Sequence, residues 1–157
     1  MAVYVPNIPR TDDPREILRW RQGLVDYLLD ALSVLQGIPI TTSGDIIAGN
    51  WINIFNNSGT LGVRKANATA ITTDCDGFIL ADTYSGKEAQ VYFTGMNTKV
   101  SGKTIGSTYY LSKTAGGDTT DVSAGAGWTT GNIRQRLGKA FSATSILFMK
   151  EIALKVA

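Results

Sequence analysis

Histidine is missing from this sequence of 157 residues. Because histidine is the commonest general base in enzymes and the commonest metal ligand in proteins, its absence argues against a hydrolase and against a histidine-based metal centre. No spacing of serine, threonine or lysine residues indicates a nucleophile paired with a base. We therefore predict that the protein is not an enzyme and that it has no catalytic residue, no cofactor and no metal site.

Cysteine is nearly missing as well, since Cys75 is the only one in the sequence. A disulfide within the chain is excluded, so cysteine usage says nothing about the cellular compartment. Asp74 and Asp76 flank Cys75, and their negative charges raise a thiol pKa and disfavour the reactive thiolate. We predict a buried or half-buried structural cysteine.

Charge is scarce and nearly balanced. Charged residues make up 18% of the chain, with 15 Lys and Arg against 13 Asp and Glu. Such a balance gives no strong electric field to attract nucleic acid, so we expect no nucleic-acid partner. A low charge instead favours self-association.

Long hydrophobic runs are missing too. The longest apolar segment, residues 24–35, is too short to cross a membrane and is interrupted by Asp26 and Asp30. The first residues lack the basic start and apolar stretch of a signal peptide. We expect a protein that is made in the cytoplasm and has no membrane partner.

Two pairs of aspartates are the remaining candidates for chemistry. Asp74 and Asp76 lie two residues apart, and Asp118 and Asp121 lie three apart, all in turn-like contexts. Aspartate commonly bonds the backbone in turns, whereas a glycosidase needs two opposed carboxylates and a calcium loop needs further oxygen ligands. We interpret these residues as turn formers, with a glycosidase or a calcium site as the alternatives.

Residues 1–12 predict an extended arm. Pro6 and Pro9 exclude a helix and favour extended backbone in the residues that precede them. We interpret the arm as lying along another subunit, with packing on its own body as the alternative. Its apolar side chains and one basic residue are its candidate contact residues: Val3, Tyr4, Val5, Ile8 and Arg10.

One long amphipathic helix is predicted over residues 13–38. Asp13 suits the N-cap and Pro14 the first helical position, while Gly37 and Pro39 are stop signals. A helix that is apolar around most of its circumference needs two neighbours, so we predict packing against the same helix of sister subunits. A monomer whose own loops cover the helix is the alternative. The interface candidates lie on two adjacent stripes of the helix, a seam with spacings of three and four (Ile17, Trp20, Leu24, Tyr27 and Ala31) and a second stripe that includes Leu28 and Leu35.

Residues 44–157 predict an antiparallel β-domain. Short apolar and β-branched runs alternate with Gly, Asn, Asp and Ser, which is typical of a β-sandwich or barrel. A reversal is expected near Gly116, and Gly138 indicates a bulge or a close approach of two backbones. The predicted strands lie near residues 46–47, 51–56, 62–66, 77–82, 89–94, 108–112, 132–140 and 145–154. The predicted fold is therefore mainly β, an antiparallel sandwich or barrel preceded by the arm and the helix.

The stretch 106–142 carries a resemblance to a known group of proteins. It reads Tyr-Tyr-Leu-Ser, Gly-Gly, Thr-Thr, a glycine-rich turn and then Gln-Arg-Leu-Gly-Lys-Ala-Phe-Ser, and the runs 63–68, 76–81 and 91–95 match the first half of the same domain. This order resembles a small β-domain of bacteriophage virion proteins, which occurs in capsid decoration (cement) proteins, head fibres and tail-fibre modules. The resemblance covers about residues 44 to 150, and its motifs are structural.

The resemblance implies a structural virion protein that is assembled in the host cytoplasm. We expect a capsid decoration protein, a homotrimer that binds the outside of the phage head and stabilises it, with itself and the major capsid protein as partners. Besides the arm, Arg64 and Lys65 are candidates for capsid contact. The alternative for Arg64, Lys65, Arg134 and Arg136 is that they lie on solvated strand faces.

The alternative function is a tail-fibre or head-fibre module that recognises host-surface glycan. Aromatic side chains commonly stack on sugar rings when they are exposed. The candidates for such stacking are Trp51, Trp128, Tyr84, Tyr109 and Tyr110.

Overall fold

The computed structural model describes residues 15–24, 37–123 and 126–157. The chain divides into two compact units, Met1–Gly37 and Ile38–Ala157. All of the buried hydrophobic side chains among the described residues belong to the second unit, which we call the β-body. Because the β-body contains its own cores, it has what a domain needs to fold by itself.

Residues 15–24 of the first unit form a helix, α1. Ile17, Trp20 and Leu24, which share the predicted seam, are half-buried, whereas Leu18 is 63% exposed. The predicted helix end at residue 38 was wrong, because Gly37 is not helical and Ile38 begins a β-strand. The arm predicted over residues 1–12 and residues 13–14 and 25–36 of the predicted helix lie outside the described residues. The length of the helix therefore stays a prediction.

Five strands of the β-body close into a barrel. They are β1 (Ile38–Thr42), β2 (Trp51–Asn57), β3 (Thr60–Lys65), β4 (Gly77–Ile79) and β5 (Glu88–Tyr92). Neighbouring strands follow the order β1, β3, β2, β4, β5, and β1 closes the barrel on β5. The pair β1 and β3 is parallel, so the prediction of a purely antiparallel arrangement was wrong at this pair.

Strand β1 precedes residue 44, where the predicted β-domain begins. The sequence pattern missed it because Pro39 was interpreted only as a helix stop. Proline is tolerated near the start of a strand, and Pro39 stands opposite Gln90 in the pairing of β1 with β5. The β-body therefore begins at Ile38.

The other seven strands form two further sheets. They are β6 (Thr94–Asn97), β7 (Thr108–Leu111), β8 (Asp118–Thr119), β9 (Ile133–Arg134), β10 (Arg136–Ser142), β11 (Ser145–Met149) and β12 (Leu154–Lys155). A five-stranded antiparallel sheet has the order β6, β11, β10, β7, β8, and β9 pairs with β12. A 3₁₀ turn occupies Ile71–Thr73.

The mainly β character of the chain is confirmed, and the strand boundaries differ in detail. The reversal predicted near Gly116 is confirmed, because β7 and β8 form a hairpin around it. The predicted run 132–140 is split at Gln135 into β9 and β10. The predicted strand at 46–47 is only an isolated bridge from Ile46 to Thr83.

An aromatic cluster joins barrel strands to the five-stranded sheet. Trp51 of β2 lies 5.3 Å from Phe148 of β11 and 5.9 Å from Phe78 of β4, measured between ring centroids. All three side chains are buried. Such tilted and edge-on contacts add to the free energy of burying the rings. A second, aliphatic cluster fills the barrel and includes Ile40, Ile52, Val63, Ile79 and Val91.

Gly138 combines both features that the sequence predicted for it. The register between β10 and β7 shifts from Arg136 to Gly138, as at a β-bulge. A methyl group on Gly138 would lie 1.8 Å from the carbonyl oxygen of Leu147 in β11. Its φ of 153° is also a backbone angle that residues other than glycine rarely adopt.

Candidate interaction surface

The segment that contains Cys75 is structural. Cys75 is fully buried, and burial raises the pKa of its thiol, with the charges of Asp76 and Asp74 adding to the effect. Its Sγ donates a hydrogen bond to the carbonyl oxygen of Gly77 at 3.3 Å. Because a neutral, inaccessible thiol is a poor nucleophile, the prediction of an inert structural cysteine is confirmed.

Asp76 links strand β2 to Lys150, which follows β11. Its carboxylate accepts hydrogen bonds from the backbone N–H of Ile54 at 2.7 Å and from Asn53 Nδ2 at 3.3 Å. Its Oδ1 also accepts a hydrogen bond from Lys150 Nζ at 2.5 Å. This hydrogen bond raises the pKa of Lys150. Burial and the charge of Asp76 raise the pKa of neighbouring Asp74. The oxygens of Asp76 thus bond groups that are distant in sequence and not the neighbouring backbone, so the interpretation of Asp76 as a turn former was wrong.

The second aspartate pair, Asp118 and Asp121, does not form a single site. Asp118 accepts a hydrogen bond from Trp51 Nε1 at 3.1 Å and forms a largely buried ion pair with Lys103. Asp121 lies at the surface, where hydrogen bonds from the backbone and side chain of Ser123 lower its pKa. The two carboxyl groups therefore have different partners. Among the described residues, no cluster of three or more His, Cys, Asp or Glu side chains could hold a metal ion.

Arg64 and Lys65 are the capsid contacts predicted in the β-body, and the side chain of Arg64 is held in place by hydrogen bonds. Arg64 Nε donates to Asn53 Oδ1 at 2.9 Å, and its Nη2 donates to the carbonyl oxygen of Thr72 at 2.8 Å. Its guanidinium also lies 4.6 Å from the ring centre of Phe55. Both basic residues line a shallow cleft of about 240 Å³ with residues 43–46. Since Arg64 is held within the β-body, Lys65 is the better candidate for a contact.

Most of the aromatic residues proposed to stack on sugars are buried in the structure. Trp51, Trp128 and Tyr109 are buried, and Trp128 Nε1 donates to the carbonyl oxygen of Asp121 at 3.2 Å. Tyr110 is half-buried, whereas Tyr84 is 73% exposed. Of the residues proposed to stack on sugars, Tyr84 and Tyr110 are therefore the accessible ones, which weakens that alternative.

The outer face of β10 and β11 carries an apolar groove of about 230 Å³, which we call the sheet-face groove. Phe141 and Met149 are 60% and 63% exposed, and Leu147 is half-buried between them. An apolar groove on the face of a sheet is a candidate interaction site. The lining residues are Arg136, Gly138, Lys139, Phe141, Leu147, Met149 and Glu151.

Sequence reasoning missed the sheet-face groove, although a signal for it exists. A strand with one solvated face alternates apolar and polar residues, whereas Ile146, Leu147, Phe148 and Met149 form an unbroken apolar run. Ile146 and Phe148 fill the core, so Leu147 and Met149 must point outward. The unbroken run therefore indicated an apolar outer face on β11.

The predicted oligomer interface is described only in part. Ile17, Trp20 and Leu24 lie on α1 and are half-buried. The other interface candidates, Tyr27, Leu28, Ala31 and Leu35, and the arm residues Val3, Tyr4, Val5, Ile8 and Arg10 lie outside the described residues. Both interfaces stay predictions.

The part of the chain that the structure describes contains no helix long and apolar enough to cross a membrane. No protein-family model matches the sequence, and neither a curated protein nor a solved structure matches the chain significantly.

Proposed function

We propose that this protein is a capsid decoration protein, a structural component of a phage virion that acts by adhesion. The observation that carries the proposal is the sheet-face groove, because Phe141 and Met149 present apolar surface to solvent on the outer face of β10 and β11. A partner that covered these side chains would remove their apolar surface from water, which favours association. The resemblance of residues 44–150 to virion β-domains supports the same conclusion.

The proposed mechanism is cooperative attachment. Each subunit buries its helix against sister helices, and the assembled homotrimer bridges neighbouring subunits of the major capsid protein. A subunit of the shell can then leave only when several contacts break together. Multivalent attachment of this kind raises the overall affinity without strengthening any single contact.

The first test is the mass of the protein in solution, measured by light scattering. For the intact protein we expect a mass three times the 16.8 kDa of one chain. We expect the chain of residues 38–157 to be monomeric. The truncation ends before Ile38, because β1 begins there. In the intact chain, Trp20→Glu combined with Leu24→Glu should dissociate the trimer by placing charge on the apolar seam.

The matched control is Arg19→Glu, an exposed position on the polar side of α1, which should leave the trimer intact. A monomeric intact chain, or a trimer that survives the Trp20 and Leu24 substitutions, would contradict the proposed role of the helix.

The second test is binding to phage heads assembled without this protein. We expect saturable co-sedimentation of the intact trimer with the heads. Lys65→Glu should weaken this binding about tenfold, because it reverses the charge that we propose meets an acidic patch of the capsid. The control is Lys87→Glu, an exposed position just before β5, which should leave the binding unchanged. Heads that bind no protein would refute the decoration role.

A further inference from the structure

The sheet-face groove combines an apolar middle with basic side chains. Phe141, Leu147 and Met149 line its apolar part. Lys139 stands opposite Leu147 in the pairing of β10 with β11, so its charge lies beside the apolar floor. Lys139 is exposed, and among residues 15–24, 37–123 and 126–157 no ion pair engages it. An occupant that brings a negative charge would therefore gain an electrostatic contact in the groove.

The second basic residue of the groove, Arg136, is only partly engaged. Its Nη1 donates to Glu151 Oε1 at 2.6 Å, and the two side chains are 40% and 45% exposed. A guanidinium group carries five N–H donors, so Arg136 can bond a second carboxylate while it keeps the first. Arg136, Lys139 and Glu151 together carry one net positive charge, which favours an occupant with a single carboxylate.

The volume of the groove limits the part of an occupant that enters it. An apolar cavity of about 150 Å³ holds one benzene ring. The groove of about 230 Å³ therefore accommodates one aromatic ring and leaves room for about one carboxyl group. A peptide can place a single side chain in a groove of this size while its backbone stays outside.

The side chains around the groove favour an aromatic ring over an aliphatic group or a sugar. The exposed ring of Phe141 can stack with a second ring, and the sulfur of Met149 makes favourable contacts with aromatic rings. The guanidinium of Arg136 can lie over a ring face as a cation–π partner. A sugar would instead bring hydroxyl groups that Phe141 and Leu147 cannot hydrogen-bond.

We propose that the sheet-face groove binds an aromatic side chain that lies next to an aspartate or glutamate in a partner protein. The ring would lie over Leu147, between Phe141 and Met149. The neighbouring carboxylate would accept hydrogen bonds from Lys139 and Arg136. This inference rests on the proposed function, in which the partner is the major capsid protein, and it states the chemistry of that contact.

NMR of the methionine methyl groups in the intact protein measures this binding. The chain has three methionines, so labelled methyl groups give few signals, and Met149→Leu identifies the signal of Met149. The probe is acetyl-Trp-Glu-amide. Its ring should shift the Met149 signal in a saturable way, with a dissociation constant of about 1 mM. A Met149 signal that does not respond to the probe would overturn the proposal.

Matched probes test the two parts of the ligand separately. Acetyl-Leu-Glu-amide lacks the ring and acetyl-Trp-Gln-amide lacks the charge, and we expect each to bind at least about threefold more weakly. Equal binding of either one would refute the part of the proposal that it tests. Methyl glucuronide, an acidic sugar, should not bind. Tighter binding of this sugar than of acetyl-Trp-Glu-amide would overturn the proposal in favour of an acidic glycan.

Variants of the groove connect the ligand to named side chains. Lys139→Gln should weaken the binding of acetyl-Trp-Glu-amide about threefold and leave the binding of acetyl-Trp-Gln-amide unchanged, because only the first probe carries the carboxylate. Phe141→Ala should weaken the binding of both probes about fivefold. The matched control is Lys87→Gln, an exposed position just before β5, which should change neither. A loss of affinity in the control equal to that in Lys139→Gln would refute the role of Lys139.

Binding to phage heads separates this inference from the proposed function. We expect Phe141→Ala to reduce co-sedimentation of the protein with heads assembled without it. Heads that bind this variant as well as the wild type, together with a silent Met149 signal, would refute the inference and leave the decoration role standing. A Met149 response without any binding to heads would support the ligand chemistry of the groove and refute the decoration role.

Discussion

Gly138→Ala is expected to destabilise the β-body by about 3 kcal/mol or more, a large share of the roughly 5–15 kcal/mol that keeps a domain folded. The added methyl group would lie 1.8 Å from the carbonyl oxygen of Leu147, far inside the contact distance of two atoms. The obstacle is backbone, so no side-chain rotation can relieve it. Alanine also resists the φ of 153° that Gly138 adopts. The pairing of β10 with β11 would have to break or shift.

Urea denaturation followed by circular dichroism measures this effect. The matched control is Gly44→Ala, since Gly44 has no atom within 4 Å of an added methyl group and no positive φ. We expect the control to unfold close to the wild-type midpoint. Equal midpoints for the two variants would mean that β10 and β11 can separate locally without loss of stability, contrary to the argument from backbone contact.

Gly138 also shows how far the sequence predicts this fold. A glycine inside an apolar strand pattern has few explanations, so a bulge or a close backbone approach could be predicted from the sequence alone. Local patterns likewise predicted the β-character and the hairpin at Gly116, because the conformational preferences of a few neighbouring residues determine such features.

Features that depend on distant residues were not predictable in the same way. The parallel pair of β1 and β3 joins segments about twenty residues apart, with Thr41 opposite Gly62, and no local pattern specifies such a partner. The burial of Trp51 and Trp128, which the glycan alternative took as exposed, also depends on contacts across the sheets. Trp51, for example, lies against Phe148 and donates to Asp118.

The sheet-face groove falls between these two cases. The run Ile146 to Met149 showed that β11 is apolar on both faces, yet only the pairing of β10 with β11 brings Phe141 and Leu147 to the same surface. The buried polar residue Gln135, whose side chain bonds the segment before β4 and the segment after β11, gave no signal in the sequence at all. Its importance comes entirely from the tertiary structure.

Gln135 is the polar residue whose replacement should cost the most. It is fully buried, and its Oε1 accepts a hydrogen bond from the backbone N–H of Cys75 at 2.6 Å. Its Nε2 donates to the carbonyl oxygens of Cys75 at 2.8 Å and Glu151 at 3.0 Å. One side chain thus satisfies three backbone groups, which belong to the segment before β4 and the segment after β11.

Gln135→Met is therefore expected to destabilise the protein by about 3 kcal/mol or more. Methionine has a similar volume and fills the space, but it leaves one N–H and two carbonyl groups without partners, at about 1 to 3 kcal/mol each. Urea denaturation at neutral pH measures the loss. The matched control is Gln90→Met, an exposed residue of β5, which should change the free energy of unfolding by less than about 0.5 kcal/mol.

Gln135→Glu separates the loss of hydrogen bonds from a change in shape. An ionised glutamate has the shape of glutamine but no donor, so it would face the two carbonyl oxygens with negative charge. Its pKa in the folded state should rise above the ordinary value of about 4.3. Because the folded state then binds the proton more tightly than the unfolded state, the destabilisation relative to wild type is complete above the raised pKa and fades as the pH falls towards 4. Urea denaturation of both proteins at pH 7.5 and pH 4 should show this recovery. A difference that does not change with pH would mean that the Gln135 amide is not the donor on which Cys75 and Glu151 depend.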